Sequence, residues 1–507
     1  MEMEKQQFRE ESIEMALLTE IPLSYAKGNV LMPVRQDGHK LICAVADGQG
    51  KLALRELARS MSLEPVAEML PRESVIELIN KYYGQLGSAE EVMGNISGED
   101  LTSVATEFEK PRDIMELTEE APIIRLLNAL LQQAVKERAS DIHVEPYEKE
   151  IEVRMRIDGV LRAVLKPPKI IQDALISRIK IMARLDIAEK RLPQDGRIRL
   201  LVGGRDIDIR VSIIPTSHGE RAVLRLLDRM QGVMGLWEVG LEERQQKEFD
   251  RILMRPNGIV LVTGPTGSGK TTTLYAALNR IHSVEKNIIT VEDPVEYQLQ
   301  GIGQIHVNSK VGLTFASGLR SILRQDPDVI MVGEIRDRET AEIAIQASLT
   351  GHLVLSTLHT NDAPSALTRL VDMGVEPFLA ASSLSAVLAQ RLVRVVCPRC
   401  KESYVPDESE SSYFDNPPRE LFRGRKCGYC NNTGYYGRQA IFELLNVNNN
   451  IRHLISERAD ASRIRAAAIA DGMRSLRQDG LSKALSGQTT VEEVLRVTRE
   501  ENADIQV

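Results

Sequence analysis

The residues best suited to chemistry lie in one glycine-rich segment, Gly264-Pro-Thr-Gly-Ser-Gly-Lys-Thr271, which fits the pattern G-x-x-x-x-G-K-[ST]. In this pattern the glycines let backbone N–H groups converge on phosphates, the lysine reaches the β- and γ-phosphates, and the last hydroxyl ligates Mg²⁺. A chance glycine-rich turn is the alternative. The sequence predicts a nucleoside triphosphatase that uses ATP with Mg²⁺, with Lys270 on the phosphates and Thr271 on the metal. The predicted nucleotide-binding residues are Gly264, Pro265, Thr266, Gly267, Ser268, Gly269, Lys270, Thr271 and Thr272.

Acidic side chains follow two apolar segments, where they could order the metal or an attacking water. One segment runs from Asp328 to Glu334, and the carboxyl end of such a strand is where an open α/β sheet binds ligands. Asp328 begins that strand and is expected to face away from the nucleotide. The second segment ends in Glu292, followed by Asp293 and Glu296. We predict catalytic roles for Glu334 and Glu292, with a buried strand and an incidental glutamate as the alternative.

A third apolar segment, residues 353–358, lies between His352 and His359. A single histidine is more often structural than catalytic, but Ser356 and Thr357 extend the pattern of polar groups at strand ends. The sequence leaves both a structural and a catalytic role open, and His359 is the candidate sensor of the γ-phosphate.

Four of the five cysteines form two C-x-x-C pairs: Cys397 with Cys400, and Cys427 with Cys430. In a reducing compartment this spacing indicates one structural Zn²⁺ held by four thiolates rather than two disulfides. A redox dithiol is the alternative for either pair. Cys43 is expected to be a small core residue.

Regular elements must position these residues. Residues 258–263 are an apolar run typical of a buried parallel strand, and residues 272–280 have the helical spacing of Leu274 and Leu278. Strand, glycine-rich loop and helix in this order are the context that a phosphate-binding loop requires.

Composition narrows the class of protein. The 507 residues carry a net charge of −8, which disfavours a motor that tracks nucleic-acid phosphates, so no nucleic acid is expected as a partner. The longest nearly apolar stretch, residues 378–389, is far shorter than the roughly 20 residues of a membrane span. The first residues lack the pattern of a signal peptide, so we expect a cytoplasmic protein.

The chain is predicted to be multidomain α/β. Residues 85–109 contain six acids and no Lys or Arg, which is typical of a flexible linker. Thr490 and Glu493 form a potential capping box for a last helix. The predicted divisions are an N-terminal α+β domain 1–84, a linker 85–114, a second α+β domain 115–232, a nucleotide-binding core 233–395, a four-cysteine module 396–432 and a C-terminal helical domain 433–507.

Taken together, these motifs resemble the secretion ATPases that drive type II secretion and type IV pilus assembly. The resemblance covers the chain from about residue 115 onward and includes the phosphate loop, the acidic segment 290–296, the strand ending at Glu334, the histidine segment 350–360 and the four cysteines. Shorter matches are Ala139-Ser-Asp-Ile-His-Val-Glu-Pro146 and Leu192-Pro-Gln-Asp-Gly-Arg197.

The resemblance implies a homohexamer with a RecA-like core and a preceding sensor-type domain. Arg210 and Arg225 match family arginines that approach the nucleotide phosphates. Arg320 and Arg324, which their spacing of four predicts to share one helical face just before the Glu334 strand, could also assist. Surface ion pairing is the alternative for each of these arginines. The implied partners are the cytoplasmic domain of an inner-membrane secretion protein, which the N-terminal module docks on, an inner-membrane platform protein, and acidic phospholipid. The implied location is therefore cytoplasmic and peripheral to the inner membrane.

The four cysteines separate this chain from the retraction motors of the superfamily, which generally lack them. The compact N-terminal region favours type II secretion over pilus assembly or DNA uptake. A RecA-like motor that translocates nucleic acid is the more remote alternative. For residues 1–84, a regulatory domain that binds a nucleotide second messenger is the alternative to docking.

Overall fold

The computed structural model describes residues 13–14, 17–18, 21, 23–83, 122–202, 205–228 and 234–498. The chain divides into two compact units, residues 1–230 and 231–507. The predicted linker, 85–114, lies outside the described residues. Within those residues, no helix combines the length and apolar character needed to cross a membrane.

The first described part of the N-terminal unit is a three-stranded sheet in the order β1-β2-β3 with three helices. A turn at Gly38, which has φ of +57°, joins β1 to β2. Cys43 is fully buried on β2, and burial raises the pKa of its thiol to about 12, as suits a core residue. The elements are α1 Leu23–Gly28, β1 Leu31–Asp37, β2 Lys40–Val45, α2 Gly48–Ser60, β3 Glu64–Met69 and α3 Arg72–Tyr83.

The rest of this unit is a six-stranded antiparallel sheet in the order β6-β5-β4-β9-β8-β7. Asp158 and Gly159 both have positive φ and join β5 to β6 in a tight turn. The sequence predicts a helix over residues 123–135 and strands over 141–145, 151–157 and 205–211, which are α4, β4, β5 and β8, but it misses β6, β7 and β9. The elements are α4 Pro122–Lys136, β4 Ala139–Pro146, β5 Ile151–Ile157, β6 Val160–Leu165, α5 Gln172–Ala183, β7 Gln194–Val202, β8 Arg205–Thr216 and β9 Gly219–Asp228.

The second unit is built on a seven-stranded sheet in the order β12-β11-β13-β14-β10-β15-β18. All neighbours pair in parallel except β15 and β18. Strand β10 has a parallel neighbour on each side and is buried throughout, as its apolar run predicts. The sheet strands are β10 Gly258–Thr263, β11 Ile288–Glu292, β12 Gly303–His306, β13 Val329–Val332, β14 Leu353–Leu358, β15 Leu384–Val396 and, later in the chain, β18 Tyr435–Asn446.

Helices cover both faces of this sheet. One apolar cluster joins α6, α7 and α8 to one face, and a second joins α9, α10, α11, α12, α14 and α15 to the other. The helices up to β15 are α6 Leu236–Val239, α7 Glu243–Leu253, α8 Lys270–Ile281, α9 Phe315–Ile322, α10 Arg338–Leu349, α11 Ala363–Asp372 and α12 Pro377–Ser383. The later elements are β16 Lys401–Tyr404, α13 Glu408–Ser411, β17 Leu421–Gly424, α14 Asn449–Ser456, α15 Ala461–Ala470, α16 Leu476–Leu485 and α17 Val491–Val497.

The predicted C-terminal helical domain, 433–507, is wrong for its first residues. Strand β18 returns to the main sheet and pairs antiparallel with β15, so the four-cysteine module is an insertion between two neighbouring strands. The physical reason lies in residues 440–445, a nearly continuous apolar run that is buried between layers rather than on one helical face. The helical prediction holds for the described residues from Asn449 onward.

Strand β18 lies at the edge of the sheet, and α16 supplies its missing hydrogen bonds. The Phe442 N–H donates to Asp479 Oδ2 over 2.9 Å, and Lys483 Nζ donates to the Ala440 carbonyl over 2.7 Å. Asp479 and Lys483 are themselves 2.8 Å apart and fully buried. This buried pair covers a strand edge that would otherwise be open to further pairing.

Candidate functional site

The predicted phosphate loop joins the carboxyl end of β10 to the amino end of α8. Gly264, Gly267 and Gly269 all have positive φ, a conformation that favours glycine. Lys270 is the first residue of α8, and its Nζ donates to the carbonyls of Gly264 over 2.7 Å and Pro265 over 3.1 Å. The loop therefore closes around its lysine.

The pKa of Lys270 is shifted by burial and by neighbouring charges. Burial lowers the pKa of Lys270 to about 8, against the nearby Glu334 carboxylate, which raises it, while Arg391 lowers it further. An anion brought to the loop would favour the charged form, as phosphates do.

The rest of the loop fits a phosphate ligand with Mg²⁺. The Ser268 hydroxyl oxygen is buried and has no hydrogen-bond partner among the described residues. Thr271, by contrast, is exposed on the first turn of α8, where a metal could reach its hydroxyl. The amino end of this helix adds the positive potential that anions require.

Glu334 follows β13 at the same edge of the sheet. Its carboxylate is largely buried and forms an ion pair with Arg336. His359, which follows β14, places Nε2 3.4 Å from Glu334 Oε2. The structure therefore brings together the predicted residues Lys270, Glu334 and His359, and it adds Arg336, which sequence reasoning missed. The signal for Arg336 was its position two residues after the acid.

Asp328 lies at the other end of this strand. Its Oδ2 accepts a hydrogen bond from the Asn287 N–H over 2.7 Å, so it faces away from the loop as predicted. His352 lies at the beginning of β14, with Nδ1 2.7 Å from the Ala347 carbonyl, and is remote from the carboxyl edge. Of the two histidines in the segment, His359 alone contacts Glu334.

Ser356 and Thr357 tie strands together. Ser356 Oγ donates to the Val332 carbonyl over 2.8 Å, and Thr357 Oγ1 donates to the Gly333 carbonyl over 2.7 Å. Both hydroxyls thus fix the end of β13 just before Glu334. Their contribution to the site is to hold the backbone that carries the acid.

Glu292 ends β11 in a different environment. It is 3% exposed. Its carboxylate accepts hydrogen bonds from Thr290 Oγ1 over 2.5 Å, from Gln304 Nε2 over 3.1 Å and from the Tyr275 hydroxyl. Burial and the neighbouring carboxylate raise the pKa of Tyr275, so it stays a donor. Since Tyr275 lies on α8, this network connects the phosphate-loop helix to β11.

A buried glutamine also contacts the phosphate loop. Gln390 on β15 accepts a hydrogen bond from Thr273 Oγ1 over 2.7 Å, and its Nε2 donates to the Ser268 carbonyl over 2.8 Å. Sequence reasoning missed it. The signal available was an amide side chain in the middle of an apolar strand.

Arg210 and Arg225 lie in the N-terminal unit, on β8 and β9, where they pair across the strands. Arg225 Nε donates to Asp141 Oδ1 over 3.0 Å, and its side chain is 57% exposed. Asp141 is buried and also lies 3.5 Å from Arg156. A second buried acid, Glu145, accepts from Arg154 and Arg221 on the same sheet. This face of the sheet thus carries arginines anchored on buried acids.

The other two predicted arginines have local contacts. Arg320 forms an ion pair with Glu339. Arg324 lies beyond the end of α9, and its Nη1 donates to the Arg320 carbonyl over 2.9 Å. They therefore do not share one helical face as the spacing predicted. Arg336 forms an ion pair with Glu334, and the charge of Arg391 lowers the pKa of Lys270.

The four predicted metal ligands are brought together. The Sγ atoms of Cys397, Cys400, Cys427 and Cys430 all lie within 4.8 Å of one another. Three of the separations are 4.0 Å for Cys397–Cys427, 3.9 Å for Cys400–Cys430 and 3.8 Å for Cys427–Cys430.

These separations fit a metal better than disulfides. Four thiolates at about 2.3 Å from a tetrahedral Zn²⁺ lie about 3.8 Å apart, whereas a disulfide is about 2.05 Å long. Burial raises the pKa of Cys430, but the N–H groups of Cys427 and Gly434, each 3.2 Å from its Sγ, help lower it to about 6. Burial raises the pKa of Cys397 and raises that of Cys400 to about 12, so a cation on the four sulfurs would be needed to hold all of them as thiolates.

Two family models match the chain. The model for "Type II/IV secretion system protein" matches residues 116–496, and the MshEN domain model matches residues 6–89.

Relatives of known name match nearly end to end. The chain is 52% identical to the Type II secretion system protein E of Pseudomonas aeruginosa over 95% of this chain and 96% of the relative. It is 52% identical to the Type II secretion system ATPase E of Vibrio cholerae over 85% of this chain and 87% of the relative. It is also 44% identical to the Type IV pilus assembly ATPase PilB of Myxococcus xanthus over 95% and 87% of the two chains.

Solved structures agree on the fold. The pilus retraction motor PilT with bound ADP matches 75% of this chain and 99% of its own, with 25% identity and a TM-score of 0.50. The Legionella pneumophila ATPase DotB matches 77% and 98% of the two chains, with 20% identity and a TM-score of 0.56. The predicted RecA-like core is confirmed.

Proposed function

Because the chain belongs to the type II/IV secretion system protein family, we propose that it is the ATPase that drives a type II secretion system. The observation that carries this function is the convergence of Lys270, Glu334 and His359 around a complete phosphate loop. The near end-to-end identity to type II secretion proteins supports the choice of system. Work from hydrolysis is then coupled to pseudopilus assembly and protein export.

Different residues of the chain bind the phosphates, hold the metal and accept the proton during ATP hydrolysis. Lys270 would exchange the loop carbonyls for the β- and γ-phosphates, and Thr271 would supply its hydroxyl to Mg²⁺, which would neutralise phosphate charge. Water attacks the γ-phosphorus, the bond to the β-phosphate oxygen breaks, and Glu334 accepts the proton from the water. His359 and Arg336 hold the Glu334 carboxylate, and His359 senses the γ-phosphate.

The proposal includes a homohexamer in which Arg225 and Arg210 contribute positive charge to the nucleotide. Arg225 is half exposed and anchored at one nitrogen by Asp141, which leaves other guanidinium donors for a ligand. An arginine acting on the transferring phosphoryl group contributes about 10³–10⁵ in rate. Arg225→Ala should therefore reduce turnover strongly with little loss of stability. An unchanged rate per hexamer would exclude this role.

One structural Zn²⁺ on the four cysteines is also part of the proposal. Four thiolates leave no open coordination position, so the metal acts on folding rather than on catalysis. Metal analysis of the purified chain should give one zinc per chain. A zinc-free preparation that is fully folded would contradict this assignment.

Residues 1–84 are proposed to dock on the cytoplasmic domain of an inner-membrane secretion protein. The MshEN domain match over residues 6–89 supports a separate domain in this segment. The motor would then act peripherally at the inner membrane, beside a platform protein and acidic phospholipid. Deleting residues 1–84 should keep basal ATP hydrolysis and release the protein from membranes. Retained, partner-dependent membrane binding would place docking elsewhere, and specific binding of a nucleotide second messenger would favour a regulatory domain.

Pilus assembly is the second candidate function, because the identity to PilB also runs along most of both chains. Complementation separates the two: restored protein export in a type II secretion mutant supports the first, and restored piliation alone supports the second. Salt-dependent DNA binding would instead favour a nucleic-acid motor.

The central test is ATP hydrolysis by the purified full chain with Mg²⁺. The wild-type chain should release phosphate, and Lys270→Ala should fall to background, because the point charge on the phosphates is lost. Lys310→Ala, which changes an exposed lysine of the same unit, is the matched control and should keep wild-type turnover. A wild-type chain without hydrolysis, or full activity in Lys270→Ala, would refute the proposed function.

A further inference from the structure

Gln390 lies on β15, and both the oxygen and the nitrogen of its side-chain amide form hydrogen bonds at the phosphate loop and the helix that follows it. The side chain is fully buried, and its two described hydrogen bonds go to Thr273 Oγ1 and to the Ser268 carbonyl. Burying an amide is unfavourable unless its hydrogen bonds are made. The surrounding strand is otherwise apolar from Ala386 to Ala389, so this polar residue is accounted for by the loop it contacts.

Gln390 also leaves no room for a side chain at two of the loop glycines. A Cβ at Gly264 would lie 2.4 Å from the Gln390 carbonyl oxygen, and a Cβ at Gly269 would lie 2.8 Å from its Nε2. Both distances are below any normal contact. Backbone and side chain of Gln390 therefore form the wall against which the loop packs.

The hydrogen bond to Ser268 has a directional consequence. In a planar trans peptide the carbonyl and the following N–H point in opposite directions. Because the Ser268 carbonyl points at Gln390, the Gly269 N–H must point away from Gln390. The bond to Thr273 fixes the first turn of α8 in the same way.

We propose that Gln390 is a positioning residue for ATP binding: it holds the Ser268–Gly269 peptide and the first turn of α8 in the orientation that binds phosphates. It acts through the loop and does not touch the nucleotide. This inference rests on the proposed ATPase function and adds a residue 122 positions after Ser268, the loop residue that it contacts.

The test compares three variants of the full chain by ATP hydrolysis and by the affinity for a fluorescent ADP analogue. Gln390→Met keeps the shape but makes neither hydrogen bond, and it should weaken nucleotide binding and raise KM about tenfold, the effect of losing a hydrogen bond or two. Thr273→Val removes one bond and should have a smaller effect. Ser348→Ala is the control, since it removes a buried hydrogen bond to the Ser383 carbonyl at the opposite end of the sheet.

Gln390→Glu adds a readout that a merely structural role would not move. An ionised carboxylate still accepts from Thr273 but cannot donate to the Ser268 carbonyl, whereas a protonated one does both. The ratio of the KM of Gln390→Glu to that of the wild type should therefore fall as pH is lowered from 8 to 6. The same ratio for Gln390→Met should stay constant, because both proteins keep Lys270 and its titration.

The possible outcomes distinguish a failure of the Gln390 inference from a failure of the proposed ATPase function. A folded Gln390→Met with wild-type nucleotide affinity and KM overturns the inference, as does a Gln390→Glu whose KM, relative to that of the wild type at the same pH, does not change with pH. If Gln390→Met does not fold, wild-type affinity in Thr273→Val together with a pH-independent KM ratio for Gln390→Glu overturns it. A wild-type chain that neither binds nor hydrolyses ATP overturns the proposed function itself.

Discussion

Two acidic strand ends lie on neighbouring strands of the same sheet and differ in what holds them. Glu334, after β13, contacts the ionisable groups Arg336 and His359 and raises the pKa of Lys270. Glu292, at the end of β11, accepts hydrogen bonds from Tyr275, Thr290 and Gln304 in the core. In the sequence the two looked alike: each is an acid after an apolar run.

The difference shows how the surroundings of two carboxylates suit one to proton transfer and the other to a structural role. An acid that exchanges protons with water must remain ionised and reachable, whereas an acid saturated by neutral donors is fixed in place. We therefore assign proton transfer to Glu334, while the predicted catalytic role of Glu292 becomes, in our proposal, the positioning of β11 against the helix that follows the phosphate loop.

The largest expected effect is on Glu334→Gln. The amide cannot accept the proton from water, so steady-state turnover should fall by about 10²–10⁴-fold while nucleotide binding persists. Phosphate release and equilibrium binding of an ATP analogue measure the two effects separately. Loss of binding together with turnover would mean that Glu334 acts mainly through the metal, and the contrast with Glu292 would then fail.

Glu292→Gln should have an intermediate effect. The amide cannot accept from all three donors, which leaves a buried group unpaired at a cost of about 1–3 kcal/mol of folding free energy. Urea denaturation should report that loss, and turnover should drop by about tenfold through displacement of α8. A turnover as low as that of Glu334→Gln, with unchanged stability, would make Glu292 a chemical participant.

Tyr275→Phe removes one of the three donors and should reduce turnover only a few-fold. The matched control is Tyr297→Phe, whose ring packs edge-to-face on Tyr275 at 4.7 Å and whose hydroxyl makes no hydrogen bond within the described residues. The control should keep wild-type turnover and stability. Equal losses in both variants would mean that packing, and not the bond to Glu292, matters.

The smallest expected effect is a shift in pH dependence. Lys270 is charged below its pKa of about 8, so ATP affinity should weaken as pH rises through that value. Removing the Glu334 carboxylate, which raises this pKa, should move the midpoint to lower pH in Glu334→Gln. In Glu292→Gln the midpoint should stay in place, since Glu292 is not among the groups that shift the pKa of Lys270. Equal midpoints in the wild type, Glu334→Gln and Glu292→Gln would mean that Glu334 does not raise the pKa of Lys270, and that the two acids do not differ in this respect.

What the sequence predicted well was local. The phosphate loop, the acid after β13 and the two C-x-x-C pairs each need only a few consecutive residues, and the pattern of those residues determines their chemistry. The loop also implied its own strand and helix, because apolar runs on each side have the required periods.

What the sequence missed was non-local. Gln390 reaches a loop more than a hundred residues earlier, and β18 joins the sheet only after the whole four-cysteine module. At α17, the Thr490 hydroxyl accepts from the Glu493 N–H as predicted, but the Glu493 carboxylate binds Arg394 and Arg496 instead of completing the capping box. A buried carboxylate is better stabilised by two arginines than by one backbone N–H.

The most direct measurement is a single-turnover experiment on pre-bound, radiolabelled ATP in the full chain. On addition of Mg²⁺, the wild-type chain should convert bound ATP to ADP, Glu292→Gln should do so more slowly, and Glu334→Gln should retain its ATP uncleaved. Cleavage by Glu334→Gln at the wild-type rate would contradict the account.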